Sequence, residues 1–491
     1  MEKNFYLAFD LGAESGRTIL GRLENGRILI RELTRFPNGP IQVLGHLHWN
    51  IYSLFEEIKK GMRTGLLEAG TPPASLAVDT WGVDFGLLGS DGTVLGLPYA
   101  YRDSRTQGVM AEFFELLPRN EVYEHTGIQF LPFNTLFQLF AAIRRSPGSI
   151  AQAAALLFMP DLFSYLLTGE KASEFTIAST SQLLDPRTRN WDGQLLSALG
   201  IPPRLLQNIV SPATLLGPVG PWISQETGLR ETAVIATASH DTAAAIAAIP
   251  ASGEDWAYIS SGTWSLMGVE LGSPLINPAA LSANFTNEGG IAGSTRFLKN
   301  IAGLWLLQQC RKEWASGSAL GYDELTRLAR EVSAFNAFID PDCPDFLNPP
   351  NMAEAIRSYC RRTGQKAPQS LAEIVRCILE SLALKYRWTL EELRRLTGKT
   401  INRIHIIGGG SRNEMLCQFT AEATNLPVLA GPSEATSIGN IMGQAMAMGQ
   451  VGSVADVRTI IRDSFVVKPF GPCGSAEWDR AYARFREVAG L

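Results

Sequence analysis

A strand–turn–strand pattern that occurs twice, in separate halves of the chain, constrains the fold more than any other feature. The first copy is YLAFDLGAESGRTILGR, which begins at Tyr6, and the second is WAYISSGTWSLMGVE, which begins at Trp256. Each places a turn with a glycine and a hydroxyl between two apolar strands, and Gly12 and Gly262 occupy matching positions. Repetition of one supersecondary unit favours a duplicated α/β domain. Coincidence between two common hairpins is the alternative.

The turn of the first copy, AESGR at residues 13–17, follows a single apolar strand near the start of the chain. It contains a serine, a glycine and an arginine among its five residues. Two interpretations are open for it. It is either the turn of an ordinary β-hairpin or a loop whose backbone N–H groups hold an anion.

A cluster of three glycines, Gly408–Gly410, follows the apolar strand of INRIHII and precedes a helix predicted to begin at Ser411. Such a cluster lets the backbone approach a ligand closely, and a helix N-terminus supplies free N–H groups, so we predict a nucleotide site. A Walker A loop is absent, because the Gly398-Lys399 pair would require a glycine where Leu393 stands. The later segment EATSIGNIMGQAMAMGQ has small residues spaced for tight helix packing and is predicted to be core.

The length of 491 residues suggests two or three domains. The net charge of -5, without a long Lys or Arg run, offers no general attraction for nucleic acid. No apolar run approaches the roughly 20 residues of a membrane-spanning helix, and the N-terminus lacks the pattern of a signal peptide. We therefore expect a cytoplasmic protein that binds neither nucleic acid nor a membrane.

The six cysteines include no C-x-x-C pair, which argues against a zinc ribbon and favours reduced thiols. Cys360 and Cys377 lie in adjoining helix-like segments and could pair if those segments dock. His46 and His48 would share one face of a strand, where they could bind a metal. Because no third ligand accompanies them, a structural or substrate-side role is favoured.

Asp241 follows the apolar strand TAVIATAS and lies in the first turn of the helix that begins with SHDT. The carboxyl ends of strands are where α/β proteins place their sites. A helix cap is the alternative role, but Ser239 could cap this helix and leave the Asp241 carboxylate free. The pattern also predicts a helix that ends at Gly70, and a strand, turn and returning strand in LAVDTWGVDFGLLGSDGTVLG.

Nine segments, in one order, give the chain a resemblance to the FGGY family of carbohydrate kinases over essentially its whole length. They are DLGAESGR, VDTWGVDFGLL, YRDSRT, GIQFLPFNTLFQL, ASHDTAAA, SSGTWSLMG, NEGG, LKNIAGLWLLQ and IIGGGSRNEML. The resemblance implies an α/β fold with two ribonuclease H-like domains of the actin-like ATPase superfamily and an active-site cleft between them. It implies an N-terminal domain over 1–247, a C-terminal domain over 248–455 and a tail over 456–491 that packs on the domains.

The resemblance also implies roles for residues at matching positions. Asp241 would be the catalytic base, and Asp10 would hold Mg²⁺ through water. The sugar would be contacted by Gly82, His240, Asp241, Thr242 and Asn300. ATP would be bound by Ala13, Glu14, Ser15, Gly16, Arg17, Thr263, Gln308 and Gly409.

These roles suit phosphoryl transfer, which needs charge neutralisation, in-line placement and a group that accepts the hydroxyl proton. Backbone N–H groups and Arg17 would meet the phosphate charge, and Asp10 offers the hard oxygen that Mg²⁺ prefers. The chain departs from the family at Ala13 and Glu14, where many members carry two threonines. Because a glutamate would repel phosphates, we expect Glu14 to point away or to help bind the metal.

The activity implied by the resemblance is transfer of the ATP γ-phosphoryl group to the 1-hydroxyl of L-rhamnulose, with L-fuculose or another ketose as the alternative substrate. Four aromatic residues could form a wall against the methyl group of such a deoxyketose, or could simply be core: Trp81, Phe85, Phe130 and Phe133. A catalytically silent sugar or nucleotide sensor is a further alternative. The intact Asp10, Asp241 and Thr263 argue against a sensor.

Overall fold

The computed structural model of the chain describes residues 5–314, 320–474 and 476–491. They form two compact units, each built from separate stretches of the chain. Unit 1 consists of Met1–Pro250, Glu270–Phe297 and Ala435–Ser464, and unit 2 consists of Ala251–Val269, Leu298–Glu434 and Phe465–Leu491. The linear domain boundaries after residues 247 and 455 remain predictions.

The first half of the chain alternates strands and helices. Its strands are β1 Phe5–Leu11, β2 Ser15–Glu24, β3 Arg27–Pro37, β4 Ile41–Val43, β5 His46–His48, β6 Ser75–Thr80, β7 Phe85–Leu88, β8 Ala155–Phe158, β9 Ser173–Glu174, β10 Leu184–Asp185, β11 Asn190–Trp191, β12 Ile209–Val210, β13 Thr214–Pro218 and β14 Ala233–Ala236. Its helices are α1 Ile51–Ala69, α2 Val109–Phe114, α3 Arg119–Thr126, α4 Thr135–Arg145, α5 Pro147–Gln152, α6 Met159–Thr168, α7 Phe175–Ala178, α8 Gly193–Leu199, α9 Pro221–Thr227 and α10 Asp241–Ala247.

The second half repeats this alternation. Its strands are β15 Trp256–Ser261, β16 Trp264–Leu271, β17 Thr286–Gly289, β18 Thr295–Ala302, β19 Arg403–Ile407, β20 Val428–Ala430 and β21 Lys468–Phe470. Its helices are α11 Pro278–Ser282, α12 Trp305–Trp314, α13 Tyr322–Arg330, α14 Met352–Arg362, α15 Leu371–Thr397, α16 Glu414–Thr424, α17 Ala435–Ala447, α18 Val454–Ser464 and α19 Ala476–Ala489.

The sheet of unit 1 has the strand order β13-β14-β6-β1-β2-β3. In it, β1 pairs antiparallel with β2 and parallel with β6, β14 runs parallel to β6, and the edge strand β13 is antiparallel to β14. The register places Asp10 of β1 opposite Arg17 of β2 on one side and Asp79 of β6 on the other. The sheet therefore brings these three charged residues side by side.

The sheet of unit 2 repeats this order with strands from later in the chain. It contains the run β18-β16-β15-β19-β20-β21, in which β15 pairs antiparallel with β16 and parallel with β19. Here β20 is parallel to β19, and the edge strand β21 is antiparallel to β20. Two sheets with one strand order around one hairpin confirm that the α/β fold is duplicated.

Two local predictions have different outcomes. α1 ends as expected, with Gly70 in the left-handed conformation at φ 67°. The strand, turn and returning strand predicted after residue 75 are wrong in their second half. β6 ends at Thr80 and β7 pairs with β8, whereas the returning residues form only one bridge, between Val94 and Leu88.

All six cysteines are free thiols. Cys360 on α14 and Cys377 on α15 are both free thiols, so the possible disulfide between them does not form in this structure. Within the described ranges, the chain contains no helix with the length and apolarity that crossing a membrane requires.

Candidate active site

The β1–β2 hairpin presents a carboxylate at the end of a buried strand. Asp10 is 2 % exposed, and its Oδ2 accepts hydrogen bonds from Nε of Arg17 at 3.0 Å and from the hydroxyl of Ser437 at 2.8 Å. Nη2 of Arg17 lies 2.9 Å from the same oxygen. The side chain predicted to face phosphate therefore pairs with Asp10 in this structure, because the β1–β2 register places the two residues opposite each other.

Asn38 holds the turn of this hairpin. Its Nδ2 donates to the Gly12 carbonyl at 2.7 Å, and its backbone N–H donates to the Glu14 carbonyl at 2.9 Å. A Cβ at Gly16 would lie 2.3 Å from the ring of Phe36, so this glycine is needed for packing. The loop from Ala13 to Arg17 is therefore held by its surroundings as well as by its own strands.

A second carboxylate lies next to Asp10. Asp79 on β6 is fully buried, and its Oδ2 accepts a hydrogen bond from Nδ2 of Asn440 at 2.6 Å. Its Oδ1 has no hydrogen-bond partner among the described residues. Burial, followed by the charge of Asp10, raises the pKa of Asp79 well above its ordinary value. Asp79 is therefore harder to ionise than an exposed carboxyl group.

Two predicted sugar contacts meet where β6 ends. Thr80 forms a parallel bridge with His240, which leads into α10. The chain then bends at Val83, whose φ is 67° although its side chain is β-branched, and the Val83 N–H donates to Oγ1 of Thr180 at 3.1 Å. A Cβ at Gly82 would lie 3.4 Å from Nε2 of His240. Gly82 and His240 are therefore neighbours.

α10 begins at Asp241, but its N-terminus is not capped as predicted. Ser239, which could have capped this helix, does not do so, because His240 occupies the N-cap position; the Ser239 hydroxyl donates to the carbonyl of Thr237 at 3.2 Å. His240 is the N-cap residue and makes no side-chain cap. Oδ1 of Asp241 accepts the N–H of Thr242 at 2.6 Å and the Thr242 hydroxyl at 3.1 Å. The Asp241 side chain keeps 31 % of its surface exposed, so a ligand can reach it.

The environment of Asp241 changes its acidity. Burial raises its pKa to about 7, and the charge of Asp10 adds to this rise. The hydrogen bonds from Thr242 and the charge of Arg296 act in the opposite direction. A carboxylate with a pKa near the working pH has the acidity that a general base needs.

Three buried residues pack beside Asp241. Nη2 of Arg296, whose side chain is fully buried, lies 3.0 Å from Nδ1 of His240 and 3.1 Å from Oε2 of Glu288. On the other edge of the imidazole, Nε2 of His240 lies 3.3 Å from Oδ1 of Asp241. Burial, followed by the charge of Arg296, lowers the pKa of His240 well below its ordinary value, so the ring is neutral near pH 7. Sequence reasoning included Glu288 only within the NEGG segment and missed Arg296.

Two further buried residues, both missed from the sequence, hold the backbone of residues 239 and 240. Glu174 accepts the N–H of Ser239 at 3.1 Å, and Oγ1 of Thr176 accepts the N–H of His240 at 3.1 Å. The Thr176 hydroxyl donates to Glu174 at 2.6 Å. Burial raises the pKa of Glu174 to about 7. The only signal in the sequence was that Glu174 and Thr176 are polar residues in a run whose other residues are of types that are usually buried.

Asp84 fixes the segment around Gly82. Its carboxylate accepts hydrogen bonds from the indole N–H groups of Trp49 at 2.6 Å and Trp81 at 2.9 Å. It also accepts a hydrogen bond from the side-chain amide of Gln138, whose Nε2 lies at 2.8 Å. The role of Trp81 in this network is structural. The four aromatic residues considered as a wall for a methyl group are no more than 6 % exposed, which favours the core interpretation: Trp81, Phe85, Phe130 and Phe133.

The histidine pair of β5 does not form a metal site. Nδ1 of His46 lies 3.1 Å from a carboxylate oxygen of Asp103, and Nδ1 of His48 lies 3.1 Å from the carbonyl oxygen of Leu97. No group of three or more His, Cys, Asp or Glu side chains in the described part of the chain could hold a metal ion. The two histidines therefore stabilise the loops around β5.

α17 contributes polar contacts that the sequence interpretation missed. Its small residues do pack tightly, as predicted, because a Cβ at Gly439 would lie 1.8 Å from the carbonyl oxygen of Ala244 on α10. The same helix directs Ser437 to Asp10 and Asn440 to Asp79. The available signal was the recurrence of polar residues every three or four positions, at Ser437, Asn440 and Gln444.

In unit 2, the segment Gly408–Gly410 packs against Ser261 at the end of β15. Gly408 has a φ of 79°, and a Cβ there would lie 3.0 Å from the Ser261 carbonyl oxygen. A Cβ at Gly410 would lie 2.0 Å from the Ser261 hydroxyl oxygen, whereas one at Gly409 would meet nothing within 4 Å. Packing therefore requires two of the three glycines, and Gly409 alone adjoins open space.

The helix after these glycines begins later than predicted. Residues Gly409–Arg412 form a 3₁₀ turn, and α16 begins at Glu414. Asn413 caps this helix, because its side-chain oxygen accepts the N–H of Leu416 at 3.0 Å. The prediction that the helix begins at Ser411 is wrong because the chain turns once more before the cap.

Three other predicted ligand-binding residues also belong to unit 2. Thr263 lies in the β15–β16 turn, where its carbonyl accepts the N–H groups of Gly303 and Trp305, both at 3.1 Å. Gln308 lies on α12, and its buried Oε1 has no hydrogen-bond partner among the described residues. Asn300 lies on β18 and is half-buried. The remaining predicted sugar contacts lie in unit 1.

Two family models together match most of the chain. The model of the FGGY family of carbohydrate kinases, N-terminal domain, matches residues 5–248, and that of the C-terminal domain matches residues 257–448.

Curated relatives match the chain along nearly its whole length. A rhamnulokinase of Bacteroides thetaiotaomicron is 48 % identical over 486 residues, which is 99 % of each chain. Rhamnulokinases of Pectobacterium atrosepticum and Enterococcus faecalis are 44 % and 43 % identical. They cover 98 % and 95 % of this chain, and 96 % and 94 % of their own lengths.

Solved structures share the fold at low sequence identity. A xylulose kinase from Lactobacillus acidophilus matches with a TM-score of 0.80 at 16 % identity, over 99 % of this chain and 96 % of that one. A Plasmodium falciparum glycerol kinase with ADP matches with a TM-score of 0.76 at 14 % identity, over 99 % and 97 % of the two chains.

Proposed function

We propose a specific reaction for this chain, which belongs to the FGGY family of carbohydrate kinases. It transfers the γ-phosphoryl group of ATP to the 1-hydroxyl of L-rhamnulose, giving L-rhamnulose 1-phosphate and ADP. The carrying observation is the identity of 43–48 % to relatives named rhamnulokinase over 95 % or more of the chain. Phosphorylation of L-fuculose or another ketose is not favoured by any of these relatives.

Asp241 is our candidate for the catalytic base. Thr242 donates its N–H and its hydroxyl to Oδ1, and Nε2 of His240 lies 3.3 Å from the same oxygen. Oδ2 is therefore the oxygen that can accept the proton of the sugar hydroxyl. The partial exposure of the side chain and a pKa of about 7 support this role. The sugar contacts Gly82, His240 and Thr242 surround this carboxylate in the proposal, and Asn300 is a further contact.

Asp10 is our candidate for holding Mg²⁺. Arg17 and Ser437 occupy Oδ2 of Asp10, so Oδ1 is the oxygen left for a metal-bound water. Oδ1 of the neighbouring Asp79 is a buried oxygen that has no hydrogen-bond partner among the described residues. Magnesium in phosphate-transferring sites keeps several waters and uses only one or two carboxylates, so this donor set suits it. When bound, the ion neutralises charge on the phosphates.

The ATP contacts are also part of the proposal. In the first hairpin they are Ala13, Glu14, Ser15, Gly16 and Arg17, and in unit 2 they are Thr263, Gln308 and Gly409. Among the described residues, Gly409 adjoins open space and the side-chain oxygen of Gln308 has no hydrogen-bond partner, which supports their assignment. Arg17 would meet phosphate charge by exchanging its partner, Asp10, for the nucleotide. A cytoplasmic location stays a prediction.

Release of ADP from a panel of sugars tests the reaction. We would measure kcat/KM with L-rhamnulose, L-fuculose, D-xylulose and glycerol, and locate the phosphate on the product by ³¹P–¹³C coupling. We expect L-rhamnulose to be preferred at least about tenfold, because a site that pairs each hydroxyl rejects the wrong stereoisomer. A clear preference for another ketose would replace the substrate. Sugar binding without any ADP release would favour the sensor.

A further inference from the structure

The contact between Arg296 and His240 determines where the imidazole carries its proton. A guanidinium group has five N–H donors and no acceptor. At 3.0 Å, Nη2 of Arg296 therefore donates to Nδ1 of His240, and this nitrogen must present its lone pair. A neutral imidazole has one N–H group, so the proton lies on Nε2.

The opposite tautomer does not fit the surroundings. With the proton on Nδ1, two N–H groups would face each other across the 3.0 Å contact with Arg296. The nearest carboxylate oxygen, Oε2 of Glu288, is 3.6 Å from Nδ1, which is too far for a hydrogen bond. The geometry therefore selects the Nε2–H form, and that N–H lies on the edge of the ring near Asp241.

We propose that Arg296 is a positioning residue for phosphoryl transfer. It fixes the proton of His240 on Nε2, so that this N–H edge faces Oδ1 of Asp241, 3.3 Å away, and Oδ2 is left to accept the proton of the sugar hydroxyl. This inference rests on the proposed function of Asp241 as the base. His240 thus links a buried arginine to the reacting carboxylate.

The reaction step balances with these groups. The oxygen of the sugar hydroxyl forms a bond to the γ-phosphorus, and its proton moves to Oδ2 of Asp241. The bond between that phosphorus and the bridging oxygen breaks, and the oxygen leaves with the electron pair as part of ADP. His240 keeps its proton throughout, because its role is to orient the base.

Arginine suits this position better than lysine would. Nε of Arg296 donates to the Gly289 carbonyl at 2.7 Å, while Nη2 reaches both His240 and Glu288. Because the guanidinium group is planar, these contacts of Nε and Nη2 together fix the direction of its N–H groups. Glu288 lies 3.1 Å from Nη2 and balances the charge of a side chain that has no exposed surface. The ammonium group of a lysine, at the end of a flexible side chain, would neutralise Glu288 without fixing the tautomer of His240.

Nitrogen NMR of histidine tests the inference directly. The chain contains only five histidines, so ¹⁵N-histidine labelling of the intact protein gives few signals, and His240→Asn identifies that of His240. We expect Nε2 to be protonated and Nδ1 to show the shift of an unprotonated nitrogen from pH 6 to 8. A proton on Nδ1 in the unmodified protein would overturn the proposal. This measurement requires no altered arginine to fold.

Arg296→Met and Arg296→Lys extend the test to catalysis. For Arg296→Met we expect kcat to fall about 10²-fold, the scale of a misplaced reacting group, with little change in the KM for ATP. The acid limb of the pH profile of kcat/KM should move to higher pH, because the charge of Arg296 lowers the pKa of Asp241. Arg296→Lys should restore the position of the limb but only part of kcat. An unchanged kcat in a folded Met variant would contradict the proposal.

Glu288→Gln is a second variant, whose melting temperature is measured alongside because it removes the charge that balances Arg296. It keeps the side-chain shape and the contact between Arg296 and His240, so the tautomer should be retained and kcat should change less than fivefold. Loss of the Nε2–H form in this variant would assign the tautomer to Glu288 instead. Activity that survives in Asp241→Asn would remove Asp241 as the base, whereas the NMR result for His240 would still decide the role of Arg296.

Discussion

The hairpins β1–β2 and β15–β16 occupy the same place in their sheets but carry side chains of different charge. In both, the N–H of the turn glycine donates to the carbonyl of the first residue of the returning strand. Gly12 donates to Ser15 at 3.0 Å, and Gly262 donates to Trp264 at 2.8 Å. Two positions before the glycine, the first hairpin has Asp10 and the second has a serine.

The neighbouring strands extend this difference. On β6, the residue paired with Asp10 is Asp79, whereas on β19 the residue paired with Ser260 is Ile407. One copy of the fold therefore gathers carboxylates at its strand ends, and the other gathers hydroxyls and glycines. The duplicated fold thus sets the position of the site residues, while single side chains give the proton and metal chemistry of the proposed site to one copy.

Replacing the proposed base in unit 1, the copy of the fold that carries the carboxylates, should have the largest effect. Asp241→Asn keeps the side-chain shape but removes the proton acceptor, so we expect kcat to fall roughly 10²–10⁴-fold. Stopped assays of ADP release would measure this loss, with the melting temperature and ATP affinity as controls. If Asp241 matters only to the start of α10, the asparagine variant should retain its kcat.

The two matched hairpin positions should respond unequally. Asp10→Asn should lower kcat/KM for ATP about 10²-fold, the scale for loss of one preorganised electrostatic group, and should raise the Mg²⁺ concentration needed for half-maximal rate. Ser260→Ala, the matched control, should change neither value more than threefold. Equal losses in both variants would mean that the two hairpins share one role.

Asp241 of unit 1 should also determine how kcat/KM for the sugar depends on pH. Because burial and Asp10 raise the pKa of Asp241 to about 7, the active, deprotonated base is lost as the pH falls through 7. We expect kcat/KM for the sugar to be level above pH 8 and to decrease about tenfold per unit below pH 6.5. A profile that stays level down to pH 5 would show that Asp241 ionises normally or is not the base.

Substitutions of two adjacent glycines in unit 2, Gly409 and Gly410, should separate an effect on packing from an effect on ATP binding. Gly410→Ala places a Cβ 2.0 Å from the Ser261 hydroxyl, so overpacking should lower the free energy of unfolding by about 1–3 kcal/mol. Gly409→Ala has room and should leave the melting temperature unchanged, while raising the KM for ATP several-fold. Calorimetry and ATP titrations would measure both. An unaltered KM in Gly409→Ala would remove this residue from the proposed ATP contacts.

The sequence predicted those features that depend on local pattern. The duplicated hairpin, the helix end at Gly70 and the strand before Asp241 all follow from apolar runs and turn glycines that act over a few residues. The same patterns failed where tertiary contacts decide. Ser239 has the chemistry of a cap but bonds to Thr237 instead, and Asn413 replaces Ser411 at the start of α16 because of an added turn.

The missed site residues share one physical property. Arg296, Glu174 and Ser437 act on residues that lie far from them along the chain, so no periodicity near them announces the contact. Arg296 meets His240 across 56 positions, and Ser437 meets Asp10 across 427. A pattern of residue types indicates which element forms, but pairings of this kind arise only when the sheet order is known.

The place of α17 in the chain has a consequence for biosynthesis. Ser437 and Asn440 complete the surroundings of Asp10 and Asp79, yet the ribosome makes them after almost all of unit 2. At about 5–20 residues per second, synthesis of the chain between Pro250 and Ala435 takes roughly 10–40 s, during which the contact of Gly439 with α10 cannot form. Unit 1 can therefore be completed only late in synthesis, and a chain truncated before residue 435 lacks the side chains that bond to Asp10 and Asp79.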